Sequence, residues 1–340
     1  MPSRIALAVT ARDEARLLPA QLAYHRLLGV EPAFVYLDDP DDATWSSIAH
    51  LDWVEVRRCV SPERFRGIPG LERFVAAWAR NHTARQCLNV ADAMACAHDA
   101  GSEWLLSIDA DELVCLDRRR TVPDGLARAL ASLPPEVSAV RLPNLEVVQV
   151  QRVPGLVFRD SRLFKLRGGP ERAIRDPRSD RVVCHAWFFG HGAGKSIVRL
   201  GTGAIPATVH RFASPAGEPL PTAVLGEILH YYAYDLEDWR RRCRLLDRSN
   251  TQHVSGQPVE PQKLLWIELV QELAEAQLEE YYGRTLALGP DDLRRLRARG
   301  WRGLLRRRQV VEVRSAARAF QEEPALQRYR GDEPASSTPG

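Results

Sequence analysis

Three short apolar runs near the start of the chain, residues 5–9, 33–37 and 104–108, each stop at a polar cluster: 10–14, 38–42 and 109–112. Runs of this length, separated by stretches with helical spacing, read as buried strands alternating with helices. Leu17, Leu18, Leu22 and Leu28 mark one face of a first helix that ends near Gly29. Residues 54–56 form a further strand, and a long helical stretch covers about 71–98 before Gly101. This rhythm dictates an α/β fold with a doubly wound, largely parallel sheet and helices on both faces, and its ligands sit beyond the carboxyl ends of the strands. The three polar clusters occupy those ends.

The third cluster belongs to Trp104-Leu-Leu-Ser-Ile-Asp-Ala-Asp-Glu112, a strand that runs straight into three carboxylates. Extended residues two apart project to the same side, so Asp109 and Asp111 converge, Ala110 leaves room for a ligand and Glu112 faces elsewhere. Two carboxylates roughly 4 Å apart repel by about 4 kcal/mol at an effective dielectric of about 20. The pair is therefore expected to hold a cation or keep a proton, and a hard divalent ion is the natural partner.

After Thr121-Val122-Pro123, an N-cap and first-turn signal, a helix runs to about Leu133, where Pro134-Pro135 stops it. Segments 137–142, 145–150 and 157–166 read as the antiparallel part of a mixed sheet. Residues 171–221, rich in Gly, Pro, Arg and His, lack periodicity and read as active-site loops around a strand at 196–199. From residue 236 the pattern is helical, and the Pro/Ser/Gly-rich tail is expected to be disordered. The expected division is 1–233, a helical extension at 234–323 and the tail at 324–340.

Composition narrows the function classes. Forty-seven basic against 44 acidic residues leave a net charge of +3, too small for a global pull on nucleic acid. The six cysteines form no CxxC pair, which argues against a zinc site or a disulfide framework and for a reducing, cytoplasmic setting. No apolar run approaches the roughly 20 residues of a membrane span. Arg294, Arg295, Arg297, Arg299, Arg302, Arg306, Arg307 and Arg308 flank an apolar stripe that includes Trp301. A solvated helix face is favoured there over peripheral contact with anionic lipid at the inner face of a membrane. The stretch Phe189-Gly-His-Gly-Ala-Gly-Lys195-Ser196 is not a phosphate loop, because only three residues separate Gly190 from Gly194 and a strand follows. His25, on the apolar face of the first helix, reads as a core histidine.

The run Ala11-Arg-Asp-Glu-Ala-Arg-Leu-Leu-Pro-Ala-Gln-Leu-Ala-Tyr-His-Arg-Leu-Leu-Gly-Val30 resembles the opening of the family 2-like and family 92-like glycosyltransferases. So do Gln86, Asn89 and the Asp-Ala-Asp-Glu strand end, then Gly194-Lys-Ser-Ile-Val-Arg199, Val209-His210-Arg211 and Ile228-Leu-His-Tyr-Tyr232, in that order. The likeness covers about residues 4–245. Asp13 stands where the family usually has Asn, and Leu37-Asp38-Asp39-Pro40 replaces its Asp-Asn-Gly-Ser turn.

The resemblance implies a GT-A fold, a nucleotide-sugar donor linked to UDP or GDP, and a Mn²⁺ or Mg²⁺ ion. The acceptor would be a glycan, a lipid-linked molecule or a small molecule, and the outcome inversion. On this pattern Asp111 ligates the metal, Asp109 contacts ribose or metal, Glu112 supports them, and His210, or failing it His230, completes the set. Thr10, Arg12, Glu14, Asn89, Asp39 and Asp42 would contact the nucleotide, with Lys195 and Arg199 on the diphosphate. Asp160, Glu171 and Asp176 are the base candidates, and no motif selects among them. The rivals are a nucleotidyltransferase of similar fold, a haloacid-dehalogenase-type phosphatase and an inactive nucleotide-sugar-binding module. The first should carry a Gly/Arg-rich N-terminal loop, the second an early D-x-D-x-T/V, and the third eroded carboxylates; none of these is present.

Overall fold

The computed structural model describes residues 2–39, 41–247, 254, 259–297 and 309–329. Strands β1 (Ile5–Ala11), β2 (Val30–Leu37), β3 (Val54–Arg58) and β4 (Trp104–Ser107) run parallel in the order β4-β1-β2-β3. The chain continues through β5 (Glu112–Cys115), β6 (Ala139–Leu142), β7 (Asn144–Val147) and β8 (Leu163–Lys165) to a hairpin of β9 (Arg172–Arg175) and β10 (Val182–Ala186). Next come β11 (Lys195–Arg199), a second hairpin of β12 (Ile205–Thr208) and β13 (Arg211–Ala213), then β14 (Thr222–Val224), β15 (Glu227–His230) and, much later, β16 (Val310–Glu312).

Seven strands form one mainly parallel sheet, β14-β6-β11-β4-β1-β2-β3, in which β11 alone is antiparallel to its neighbours. Five form a second sheet, β16-β8-β7-β15-β5. The result is the mixed α/β architecture that the strand–helix alternation predicts.

Burial explains the first sheet. Ile5, Leu7 and Val9 of β1 join one hydrophobic cluster with Val35, Leu106 and Leu22, while Ala6 and Ala8 join another with Leu105, Leu88 and Ala93. A strand covered on both faces reads as a continuous apolar run, as β1 does. The small alanines lie on the side of the 18-residue helix His82–Asp99. Helix Leu18–Leu27 buries Leu18 and Leu22 and ends at Gly29, whose φ of +90° favours glycine and whose absent Cβ would approach Ala127 Cβ to 2.9 Å.

From β1 the chain moves to β2 and β3 on one side and returns to β4 on the other. The crevice between the carboxyl ends of β1 and β4 is thus the topological switch point, where sheets of this kind take ligands.

Several elements differ from the sequence reading. The helix expected over 71–98 is broken, because Asn81 takes an extended conformation and its side chain accepts the Ala84 N–H to cap a new helix. The strand expected over 157–166 is a helical turn, Val157–Asp160, followed by β8. Residues 171–221 hold two hairpins as well as β11. The helix after Thr121 starts at Gly125, behind Asp124 with φ +53°, and Thr121 bonds instead with the Tyr24 hydroxyl. After residue 236 the chain is not helical throughout: β16 pairs with β8, and helices Ser315–Glu322 and Pro324–Gln327 follow. Phe320 and Leu326 are buried in the cluster that holds β1, so order reaches past 323 to Tyr329. Residues 330–340 lie outside the described residues, as do Arg299, Trp301, Arg302, Arg306, Arg307 and Arg308. Arg294 and Arg295 are exposed and paired with Asp291 and Asp292. Among the described residues no helix is long and apolar enough to cross a membrane.

Candidate active site

β4 belongs to the first sheet and β5 to the second, so the four residues Asp109-Ala-Asp-Glu112 are where the chain changes sheets. They form a turn closed by the Glu112 N–H donating to the Asp109 carbonyl at 3.1 Å. Because the backbone turns there instead of staying extended, Glu112 does not face away as expected; all three carboxylates reach one centre.

Strand register supplies their partners. β11 runs antiparallel to β4 with Ser196 opposite Ser107, which sets Lys195 beside the turn. Its buried ammonium lies 2.7 Å from Asp109 Oδ2 and 3.4 Å from Glu112 Oε2. β15 pairs with β5 so that His230 stands opposite Glu112, and His230 Nε2 lies 3.3 Å from Asp111 Oδ2. Helix Leu236–Asp247 brings Arg242, which donates to Asp111 Oδ2 at 2.8 Å while Asp238 holds its Nε at 2.6 Å. The loop between β10 and β11 brings His191, with Nε2 2.9 Å from Glu112 Oε1.

That loop is pinned by the buried Glu146 of β7, whose carboxylate accepts the Phe189 and Gly190 N–H groups at 2.7–2.9 Å and pairs with the buried Lys165. Asn144 adds a bond to the His191 carbonyl. Gly190 has no room for a side chain, since a Cβ would stand 2.4 Å from His230 Cε1.

These charges set each other's protonation. Burial works to raise Asp109, but Lys195 outweighs it and holds the carboxyl at about 2. Burial opposes ionisation of Asp111 too, and Arg242 with His230 keeps it below the usual carboxylate range. Glu112 is pushed up to about 7 by burial, which Lys195 only partly offsets. Burial disfavours the charged form of His230, yet Asp111 raises it. His191 and His210 are lowered by burial, His210 to about 3, so both are neutral at pH 7.

The turn opens into a cavity of about 390 Å³ at the switch point. Thr10, Arg12 and Glu14 from the end of β1, Asp109, Asp111, His210 and His230 all line it. Burial raises Glu14 to about 7, against the pull of Arg241. His82, Thr83 and Gln86 bring the N-terminal end of the helix His82–Asp99 to the same wall.

Other expected residues lie elsewhere. Asn89 is buried behind the wall, donating to Thr10 Oγ1 at 3.0 Å and accepting the Val60 N–H at 3.0 Å. Lys195 is buried behind Asp109. Arg199 sits at the far end of β11, because three residues of strand separate it from Lys195; it stacks over Trp104 and donates to the Val137 and Pro134 carbonyls. Asp42 is consumed within its own loop, accepting from Thr44 and from the Asp13 N–H, and Asp39 accepts the Asp41 N–H. Asp38, one residue earlier, lines the cavity instead, gripped by Arg85.

None of the three base candidates reaches the cavity. Asp160 is exposed and paired with Arg159. Glu171 is exposed ahead of β9. Asp176 is held by Arg178, which also ties Glu268 and Glu272 of helix Pro261–Glu272. Sequence reading missed His191 and Arg242. The first lies in a Gly-rich stretch with no metal-ligand spacing, and the second carries no motif.

Among the described residues, Glu112, His191 and His230 are grouped so that one ligand atom from each lies within 4.8 Å of the others. Asp111 adjoins them through His230. Both Asp109 oxygens are engaged, by Gln86 at 2.7 Å and by Lys195, and His210 joins through its ring, 4.2 Å from that of His191. Carboxylates with imidazoles are a donor set that suits a divalent ion.

No protein-family model and no curated protein matches the chain. A solved structure of a 4-diphosphocytidyl-2C-methyl-D-erythritol synthase aligns over 67% of this chain and 90% of its own with 15% identity and a TM-score of 0.27, too remote a likeness to carry an argument.

Proposed function

We propose that the chain is a metal-dependent glycosyltransferase of GT-A architecture that moves a sugar from a nucleotide-diphosphate donor to an acceptor hydroxyl. The observation that carries this reading is the convergence of Asp109, Asp111, His191 and His230 on one cavity at the switch point of the sheet, with Glu112 buried behind them against His191. The N-terminal end of an 18-residue helix reaches the same cavity, and such an end favours phosphate.

Asp111, Glu112 and His230 are the groups that would hold Mn²⁺ or Mg²⁺. Such an ion offsets the charge that grows on a departing nucleoside diphosphate. Arg242 holds Asp111, and Lys195 holds Asp109, ionised and in place, with Arg242 itself anchored by Asp238. Thr10, Arg12 and Asp38 offer hydroxyl, guanidinium and carboxylate groups to a nucleoside at the ends of β1 and β2. The acceptor proton has to pass to a lining group, and Glu14, raised to about 7 by burial, is the one matched to take it.

A thermal-shift panel of nucleotides and nucleotide sugars, with and without Mn²⁺, tests the reading. A ligand at a hundred times its dissociation constant stabilises the fold by about 2.7 kcal/mol. UDP- or GDP-linked donors are expected to raise the melting temperature only with metal, and Asp111→Asn to abolish the rise. A metal-independent response that survives Asp111→Asn would overturn it.

A further inference from the structure

We propose that His191 is a metal ligand, and that the centre therefore binds a first-row transition ion onto the protein itself, without nucleotide, in preference to Mg²⁺ or Ca²⁺. The proposal rests on the metal part of the reading above and goes beyond it in donor set, ion class and order of binding.

Three observations converge. Glu112, His191 and His230 present ligand atoms within 4.8 Å of one another. Bonds of about 2.0–2.2 Å to nitrogen and oxygen place two ligands of one ion up to about 4.4 Å apart, so the group closes on an ion with sub-ångström adjustment. Second, the Nδ1 atoms of His191, His210 and His230 are buried without a hydrogen-bond partner. Buried polar atoms are normally partnered, and three imidazole exceptions here belong to rings that adjoin in series, tilted by 46° and 30° with centroids 4.2 Å and 4.5 Å apart.

Third, the groups are held as metal ligands are held. Glu112 Oε1 faces His191, while Oε2 accepts the Asp109 N–H at 2.9 Å and faces Lys195. One oxygen is thus anchored and the other offered. His191 is fixed through its neighbours by Glu146 and Asn144, and the His230 ring packs against Gly190. Such supporting bonds orient ligands and sharpen affinity.

The consequence follows from ligand softness. Sites built of carboxylate, carbonyl and water suit Mg²⁺ and Ca²⁺, whereas imidazole favours later transition ions. Two imidazoles in the set move preference toward Co²⁺ and Zn²⁺, with Mn²⁺ acceptable to both kinds of donor. A site with this many protein ligands also needs no diphosphate to complete it.

The experiment is equilibrium binding of Co²⁺, Mn²⁺ and Mg²⁺ to the full chain without nucleotide. Visible absorption reads Co²⁺, and the nitrogen modulation of the spin echo reads Mn²⁺ in the unaltered protein. The expected result is one Co²⁺ per chain, imidazole nitrogen on Mn²⁺, little competition from millimolar Mg²⁺, and more than about tenfold weaker Co²⁺ binding in His191→Ala. Far-UV circular dichroism checks that the variant folds, and the echo signal needs no variant. Absence of bound ion without nucleotide, absence of the nitrogen signal, or Co²⁺ affinity unchanged in a folded His191→Ala would each overturn it. Metal-dependent turnover of a nucleotide sugar with His191 dispensable would sink this proposal and leave the function standing. Metal held by His191 with no response to any nucleotide would do the reverse.

Discussion

Asp109 and Asp111 behave differently because each meets a different cation: Lys195 comes from a neighbouring strand, and Arg242 from a helix more than 130 residues along the chain. The carboxylates were legible in the sequence because a strand led into them. Their partners were not, since the antiparallel register that admits Lys195 and excludes Arg199 leaves no local mark. His25 shows a case that local spacing did reveal. It is fully buried, its Nδ1 lies 2.8 Å from the Gln21 carbonyl, and its Nε2 accepts the Val114 N–H at 3.2 Å, so the ring must stay neutral. Burial lowers it from 6.5 to about 4. Between those values the unfolded chain binds more protons than the folded one, so stability falls as pH drops through that window, by up to about 1.4 kcal/mol per unit. Glu14 and Glu112, raised to about 7, act in the opposite direction over much of the same range, so the difference between proteins is the readout. His25→Gln should lose less stability than the parent between pH 6.5 and 4.5 in urea titrations; parallel curves would contradict the assignment.

At the level of elements, the short turn between β4 and β5 places three acids, and β7 anchors the loop that carries His191 through Glu146. Glu146→Ala would strand the buried Lys165 ammonium and two backbone N–H groups, so it is expected to cost about 3–5 kcal/mol in a denaturant titration. Asp176→Asn, in a solvent-reached pair at the turn of the β9–β10 hairpin, should cost far less, about 1 kcal/mol or under. Equal losses would contradict this view of the loop's anchor. Strands β1, β4 and the second half of β2 were legible because burial on both faces writes an uninterrupted apolar run. The hairpins between 171 and 221 were not, because half-buried strands of three to five residues give too short an alternation to read. The base candidates failed for the same reason: placing Asp160, Glu171 or Asp176 required knowing which way those short elements face.

Across the whole molecule, the last described segment is structural. β16 forms the edge of the second sheet, and Phe320 stacks on Tyr24 and Phe158 within the cluster that carries β1. Truncation after residue 309 would remove Phe320 and Leu326 together from the core, each contributing about 1.5–3 kcal/mol by burial. The truncated chain is expected to melt well below the full chain, and an unchanged melting temperature would show that the segment only decorates the core. The cavity meanwhile gathers residues from β1, the helix at 82, the turn at 109, the loop at 191 and the helix at 236, so its chemistry exists only in the folded chain.

The most direct test of the central claim is an anomalous difference map from crystals soaked with Mn²⁺ and a nucleoside diphosphate. One manganese peak is expected at bonding distance from Asp111 and His230, with the diphosphate beside it toward the N-terminal end of helix His82–Asp99. A nucleotide bound elsewhere, or manganese absent from the Asp109–Glu112 turn while Arg242 and Lys195 keep their present partners, would contradict it.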